Sequence, residues 1–227
     1  MITAVVLDLD GTLLDTEALY RRAFIAALAA EDLTVTPAVY ASLVGLPTRE
    51  RGSLLRRHLG RRLPWQRCLG RYYEIRARLL ADGIPLKLGA VELLGWIASR
   101  GIPMAIATSA SQSTAESHLA RAGLRRFFAA VVTRDHVRRC KPDPESFVVA
   151  AQAVGADSRA AAAVEDSRHG VQAALAAGMQ VFTVPGEAGL VFARGAILVS
   201  DLASLQRVLA REMTVEPALT CNVQPAA

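Results

Sequence analysis

The 227-residue sequence predicts an α/β protein, a doubly wound parallel sheet with an all-helical segment inserted after its first strand. Three observations predict it. An apolar, β-branched run stands alone at the N-terminus (residues 4–7). About seventy residues of purely helical pattern follow it, and from Gly89 onward strand-like runs alternate with helix-period segments.

Taken in order, Ala4-Val5-Val6-Leu7 is short and uncharged, as a strand buried on both faces must be. Gly11 permits a sharp turn, and Thr16 is placed to cap a helix whose Leu19, Phe24, Ile25 and Leu28 share one face. Helical stretches follow over 37–44, 48–59 and 64–80, with no strand-like run before Gly83. A helix over 90–99 then precedes strand 103–107, helix 113–122, strand 129–132 and helix 144–154. Strand 161–164, helix 171–177, strands 181–184 and 197–199, and helix 202–212 complete the alternation. Residues 214–227 carry two prolines and no period, so a mobile tail is expected. The chain thus divides into a core domain (1–15 and 86–213), an inserted helical domain (16–85) and the tail.

Composition bounds the rest. Apolar residues make up 52%, enough for a substantial core. No uninterrupted apolar run reaches the ~18 residues that span a bilayer. The N-terminus enters a strand without the charged, apolar and cleavage regions of a signal peptide, so a cytoplasmic location is expected. Cys68, Cys140 and Cys221 are odd in number and match no zinc spacing, which suits a reducing compartment. The net charge is +5, and ten arginines lie between Arg49 and Arg78 against two acids, Glu50 and Glu74. Such a patch can steer phosphate esters or meet nucleic acid, but a solvated helical face has the same pattern. No aromatic stacking platform or nucleic-acid motif accompanies it, so neither nucleic acid nor a membrane is expected as partner.

Chemistry concentrates where predicted strands end, the edge at which open α/β sheets bind ligands. Asp8-Leu9-Asp10-Gly11-Thr12 follows the first strand. Two carboxylates so close raise one pKa unless a cation or proton resolves the conflict. They can supply a nucleophile and a general acid/base, or a hard-metal site, although an acidic turn has the same pattern. An EF-hand is disfavoured, because no third ligand, internal glycine and closing glutamate follow at its spacing. Thr108-Ser109-Ala110-Ser111 ends the second strand, where hydroxyls and amides can hold a phosphate or simply cap a helix. Lys141, in Cys140-Lys141-Pro142-Asp143-Pro144, is one of only two lysines, the other being Lys87. Its compact ammonium suits a phosphoryl group and a carboxylate. Glu165-Asp166-Ser167 ends the fourth strand, offering the oxygen ligands that Mg2+ prefers.

These four stretches resemble, in order, the four motifs of the haloacid dehalogenase-like (HAD) phosphohydrolase superfamily. The likeness covers about residues 2–212 and points to the branch with a helical cap between the first motif and the second strand. That branch includes β-phosphoglucomutases, sugar-phosphate phosphatases, phosphoglycolate phosphatases and phosphonoacetaldehyde hydrolases. The resemblance implies a Rossmann-like core in which Asp8 attacks phosphorus and forms an aspartyl-phosphate. Asp10 would protonate the leaving oxygen and then activate water. Mg2+ would be held by Asp8, the backbone carbonyl of Asp10 and Asp166, with Glu165 direct or through water. Lys141, the Thr108 hydroxyl and the Ser109 amide would hold the phosphoryl oxygens. Asp10 disfavours halide chemistry, and the lack of lysine over 16–83 disfavours a Schiff-base hydrolase. Tyr20 stands where β-phosphoglucomutases carry a cap histidine, which disfavours the mutase. Arg49, in Gly45-Leu46-Pro47-Thr48-Arg49, matches a cap loop that contacts a substrate's distal groups, although a solvated helix residue would read alike. The expectation is a Mg2+-dependent phosphatase, a monomer or weak homodimer, acting on a small phosphorylated metabolite such as a sugar or polyol phosphate. The alternatives are a β-phosphoglucomutase-type transfer and a non-catalytic phosphate-binding regulator.

Overall fold

In the computed structural model, residues 2–43, 46, 48–60, 63–186 and 193–214 are described. Strand β1 (Ala4–Leu7) lies inside a six-stranded sheet of order β3-β2-β1-β4-β5-β6, with all neighbours parallel. The others are β2 (Met104–Ala107), β3 (Ala130–Val132), β4 (Ala161–Glu165), β5 (Gln180–Thr183) and β6 (Ala196–Leu198). Parallel strands need crossovers, and each one from β1 to β5 carries at least one helix.

The two-residue period of β1 divides its side chains between two apolar layers. Val5 and Leu7 join one with Met104, Ile106, Val164 and Phe182, covered by α5 (Ala90–Ser99), α6 (Gln112–Arg121) and α9 (Leu202–Thr214). Ala4 and Val6 join the other with Ala105, Ala161 and Ala163, covered by α7 (Glu145–Ala153) and α8 (Arg168–Ala176). Both faces are therefore dry, which is why the strands read as continuous apolar runs. Leu7 pairs in register with Ile106 and with Val164, so the next residues (Asp8, Ala107 and Glu165) emerge level at the carboxyl edge. Register alone brings three of the sequence motifs together.

Helices α1 (Thr16–Ala29), α2 (Pro37–Leu43), α3 (Thr48–Leu59) and α4 (Trp65–Ala81) surround a third, separate apolar cluster. Phe24, Leu28, Leu43, Leu55, Leu63 and Trp65 make it, and Tyr40 and Tyr72 meet the Phe24 ring at 5.8 and 6.1 Å between centroids. We call this unit the cap. Its two connections run side by side: the Asp15 amide donates to the Pro85 carbonyl at 2.8 Å, and the Lys87 amide to the Leu13 carbonyl at 2.9 Å.

The expected elements are present, with shifted ends. Thr16 is not a cap but the first residue of α1, behind Asp15, whose side chain makes no capping bond. Helices α6 and α8 begin earlier than their apolar period indicates, because Ser111 accepts from the Thr114 amide and Ser167 from the Gly170 amide. Strands β5 and β6 each sit one residue earlier than expected. The predicted mobile tail lies, beyond Thr214, outside the described residues. Among the described residues, no helix is long and apolar enough to cross a membrane.

Candidate active site

Asp8 leaves β1 into a crowded edge, and its side chain is 10% exposed. Lys141 comes to it from the segment before α7. The Lys141 ammonium donates to Asp8 Oδ1 at 2.6 Å, to Glu165 Oε1 at 2.6 Å and to the Ala107 carbonyl at 2.8 Å. An ammonium has three protons, and all three are used. The same ammonium lies 4.8 Å over the Phe147 ring.

Glu165 is fully buried. Its second oxygen accepts from the Asp166 amide, the Ser167 amide and the Ser167 hydroxyl at 2.9, 2.9 and 3.0 Å. A Cβ on Gly170 would run into this carboxylate, so only glycine fits there. Both Glu165 oxygens are thus committed to protein donors, and Glu165 is absent from the lining of the cavity described below. The resemblance implies Glu165 at the metal directly or through water; in the structure its carboxylate turns to Lys141, the Asp166 and Ser167 amides and the Ser167 hydroxyl.

Asp166 faces the opening. Its Oδ1 accepts from the Thr12 hydroxyl at 2.8 Å, and a Cβ on Gly11 (φ 92°) would collide with it. Gly11 is therefore required twice, by its positive φ and by this close approach.

The electrostatics follow from burial. Asp8 is pushed up to about 8, first by loss of water and then by Glu165 and Asp10, with Lys141 opposing. Burial and then the Glu165, Asp8 and Glu17 charges hold Asp166 well above the ordinary carboxylate range. Burial works against the Lys141 ammonium, yet Asp8 and Glu165 outweigh it and raise its pKa. Among the described residues, three buried carboxylates thus face one buried ammonium. That deficit of positive charge is what a hard divalent cation would remove, through the Asp8 and Asp166 carboxylates that line the cavity. Among the described residues, no three acidic, histidine or cysteine side chains form a ready cage. The remaining ligands would have to be water or substrate oxygens, as is usual for Mg2+.

The cavity in front of Asp8 encloses about 490 Å³. Asp8, Asp10, Thr108, Ser109, Lys141 and Asp166 line it from the core, as does Arg134; Tyr20, Tyr73 and Arg76 close it from the cap. Because Ser111 is the cap of α6, Thr108 and Ser109 are released from that role. Thr108 is 3% exposed, and its oxygen accepts from the Ala110 amide at 3.1 Å, leaving the hydroxyl hydrogen to donate into the cavity. Asp10 is more open, its side chain 25% exposed, with Oδ1 held 3.0 Å from His118 Nδ1.

Arg49 is not in this group. It is exposed on α3 and absent from the cavity lining, and part of its predicted contact loop (44, 45 and 47) falls outside the described residues. Among the described residues, the cap arginine that lines the cavity is Arg76, whose guanidinium lies 4.5 Å over the Tyr20 ring. Burial and the Asp10 charge raise the Tyr20 hydroxyl pKa. Arg76, Tyr73, Arg134 and His118 were not singled out in the sequence. For His118 a signal existed: it interrupts the buried stripe of α6 between Ala115 and Leu119. For Arg76 there was none among ten arginines in thirty positions.

The family model for haloacid dehalogenase-like hydrolases matches residues 2–178. The chain belongs to this family. Fructose-1-phosphate phosphatase YqaB of Escherichia coli is 35% identical over 180 residues, 79% of this chain and 94% of that protein. A phosphorylated carbohydrates phosphatase of Thermotoga maritima is 30% identical over 177 residues, 78% of this chain and 82% of that protein. Among solved structures, CbbY of Rhodobacter sphaeroides in complex with phosphate superposes with a TM-score of 0.72 at 30% identity. The match covers 90% of this chain and 96% of that one.

Proposed function

We propose that this enzyme is a Mg2+-dependent phosphatase that hydrolyses a small sugar or polyol phosphate through an aspartyl-phosphate. The observation that carries the reading is the convergence of Asp8, Asp10, Asp166 and Lys141 on one cavity, with Lys141 immobilising one Asp8 oxygen and leaving the other to react.

Asp8 Oδ2 attacks phosphorus, a new O–P bond forms, and the bond to the sugar oxygen breaks. Asp10 gives that oxygen its proton. The alcohol departs, Asp10 takes a proton from water, and the water oxygen attacks the aspartyl-phosphate, releasing orthophosphate and restoring Asp8. The Thr108 hydroxyl and the Ser109 amide hold the phosphoryl oxygens, and the Lys141 ammonium, its protons committed to Asp8, Glu165 and Ala107, adds its positive charge beside them. Mg2+ bound by Asp8, Asp166 and the Asp10 carbonyl would supply the positive charge that lets an anionic nucleophile approach an anionic ester. Glu165 serves by fixing Lys141.

The substrate class rests on the cavity and the relatives. Tyr20, Tyr73 and Arg76 offer aromatic faces and a cation to a hydroxylated chain, and the Escherichia coli and Thermotoga maritima relatives are named as phosphatases of phosphorylated carbohydrates. Tyr20 in the place of a mutase histidine favours release of the product over its return to the site. The two described cysteines are free thiols, which supports a reducing, cytoplasmic setting. A monomer or weak homodimer is sufficient, because every residue assigned a role belongs to one chain.

Phosphate release is measured from sugar, polyol, glycolate and nucleotide monophosphates, with Mg2+ and with EDTA, on the wild type and Asp8→Asn. Turnover of one sugar or polyol class, lost with EDTA and in the variant, is expected. Isomerisation of glucose 1-phosphate without hydrolysis would replace this reading with the mutase. Silence in both assays would replace it with a phosphate-binding regulator.

A further inference from the structure

Helix α6 turns one face inward, carrying Ala115, His118 and Leu119. Ala115 and Leu119 pack into the apolar layer under the sheet. His118 lies between them at 3% exposure, and its Nδ1 is 3.0 Å from Asp10 Oδ1. A leucine would complete this stripe, and burying an imidazole costs free energy unless its polar atoms are bonded. Helix packing therefore gives no reason for a histidine here. The contact with Asp10 does.

Every other carboxylate at this edge is held by a polar side chain. Lys141 fixes Asp8 and Glu165, and Thr12 fixes Asp166. Asp10 is the most exposed of the four, and a carboxylate in water turns about its last torsion with little resistance, because such sp³–sp² rotations are broad. An acid that must meet a leaving oxygen within hydrogen-bond reach gains rate from losing that freedom.

We infer that His118 is the positioning residue of Asp10: its Nδ1–H holds Oδ1, so that proton exchange with the substrate takes place at Oδ2 alone. The inference rests on the reading of Asp10 as the acid that protonates the leaving oxygen. A ring that carries hydrogen on Nδ1 donates to Oδ1 across this contact, and that tautomer is part of the inference. When Asp10 is protonated, Oδ1 still faces a donor, and the proton resides on Oδ2. The placement has a further consequence. Ser111 caps α6 beside Thr108 and Ser109, and His118 follows seven residues later on the same helix, about 10 Å along its axis. One rigid element therefore sets both the seat of the phosphoryl group and the orientation of the acid.

The test compares substrates that need the acid with substrates that do not. A sugar alkoxide is a poor leaving group and requires protonation; p-nitrophenolate leaves unaided. The parameter is kcat/KM, which covers events only up to departure of the leaving group and so excludes hydrolysis of the aspartyl-phosphate. His118→Leu keeps the apolar stripe, and His118→Asn keeps an N–H donor near the position of Nδ1. We expect His118→Leu to lower kcat/KM on the best sugar or polyol phosphate by about 10- to 100-fold, and on p-nitrophenyl phosphate by less than about 3-fold. His118→Asn should recover sugar phosphate activity to within about 5-fold of wild type. Equal losses on both substrates, no loss on either, or a folded Asn variant as poor as Leu would each overturn the inference. Asp10→Asn is run alongside. If its loss depends on the leaving group while that of His118→Leu does not, positioning fails and the acid role stands. If its loss is the same on both esters, the acid role itself fails.

Discussion

The carboxyl edge of the sheet and the cap face each other across one cavity, and they are built on opposite principles. At the edge, polar atoms are committed: one ammonium spends its three protons on Asp8, Glu165 and a main-chain carbonyl, and Glu165 accepts at both oxygens. In the cap, the facing groups are Glu17, Tyr20, Tyr73 and Arg76, and the Arg76 guanidinium rests on the Tyr20 ring. Saturated, buried hydrogen bonds fix geometry to the fraction of an ångström that phosphoryl transfer needs; an arginine stacked on tyrosine can adapt to a ligand. The difference separates chemistry from selection, and substitutions on the two sides should fail in different ways.

The largest effect belongs to the nucleophile. Asp8→Asn should lower kcat by about 10⁴-fold or more, as removal of an attacking group does elsewhere. Its melting temperature should equal or exceed that of metal-free wild type, since a neutral amide avoids the cost of burying this carboxylate or of protonating it in the fold. Residual turnover near wild type by folded protein would end the assignment of Asp8.

Lys141→Met should lower kcat/KM by about 10²- to 10³-fold. Unlike Asp8→Asn, it should also destabilise, by about 3–5 kcal/mol, because it strands Asp8 and Glu165 without their shared cation. Denaturant midpoints check this. A Lys141→Met protein as stable as wild type would show that the edge is not held as the hydrogen bonds indicate.

Much of this edge was legible in the sequence, because the strand register converts three short strings into one place. Asp8, Ala107 and Glu165 emerge level, so strand ends identified from apolar runs were enough to bring the motifs together. What could not be read was direction. Nothing in Glu165-Asp166 says that one side chain turns inward to Lys141 and the other outward to the cavity; the amides of Asp166 and Ser167 decide it. The cap was legible as helices but not as a surface, since specificity there depends on which face of α1 and α4 turns to the core. Tyr20 and Arg76, fifty-six positions apart, meet only in three dimensions.

The edge should also respond to metal and pH together. Asp8 has a folded pKa of about 8 against 3.8 in the ordinary carboxylate. Raised in the fold, it contributes stability that is complete below about pH 4 and is lost as pH rises through about 8. The native metal-free protein therefore holds a proton that a bound cation must displace. The rise in melting temperature caused by saturating Mg2+ should grow between pH 5.5 and 8 in wild type and be much flatter in Asp8→Asn. A wild-type increment independent of pH would contradict a metal site that includes Asp8.

The smallest effects lie in the cap, where two arginines separate the structural reading from the sequence motif. Arg76 lines the cavity over Tyr20, whereas Arg49 is exposed on α3 outside the lining. Arg76→Ala should raise KM for the preferred sugar phosphate by about 5- to 20-fold and leave kcat within about 3-fold, the pattern of a binding group remote from phosphorus. Arg49→Ala should change either parameter by less than about 2-fold, the usual consequence of removing a solvated charge. Neither should alter the melting temperature as Lys141→Met does. If Arg49→Ala instead raises KM as far as Arg76→Ala, the cap must move far enough during turnover to bring the start of α3 over the substrate. Selection would then be a property of a closed form, in which residues outside the present lining take part.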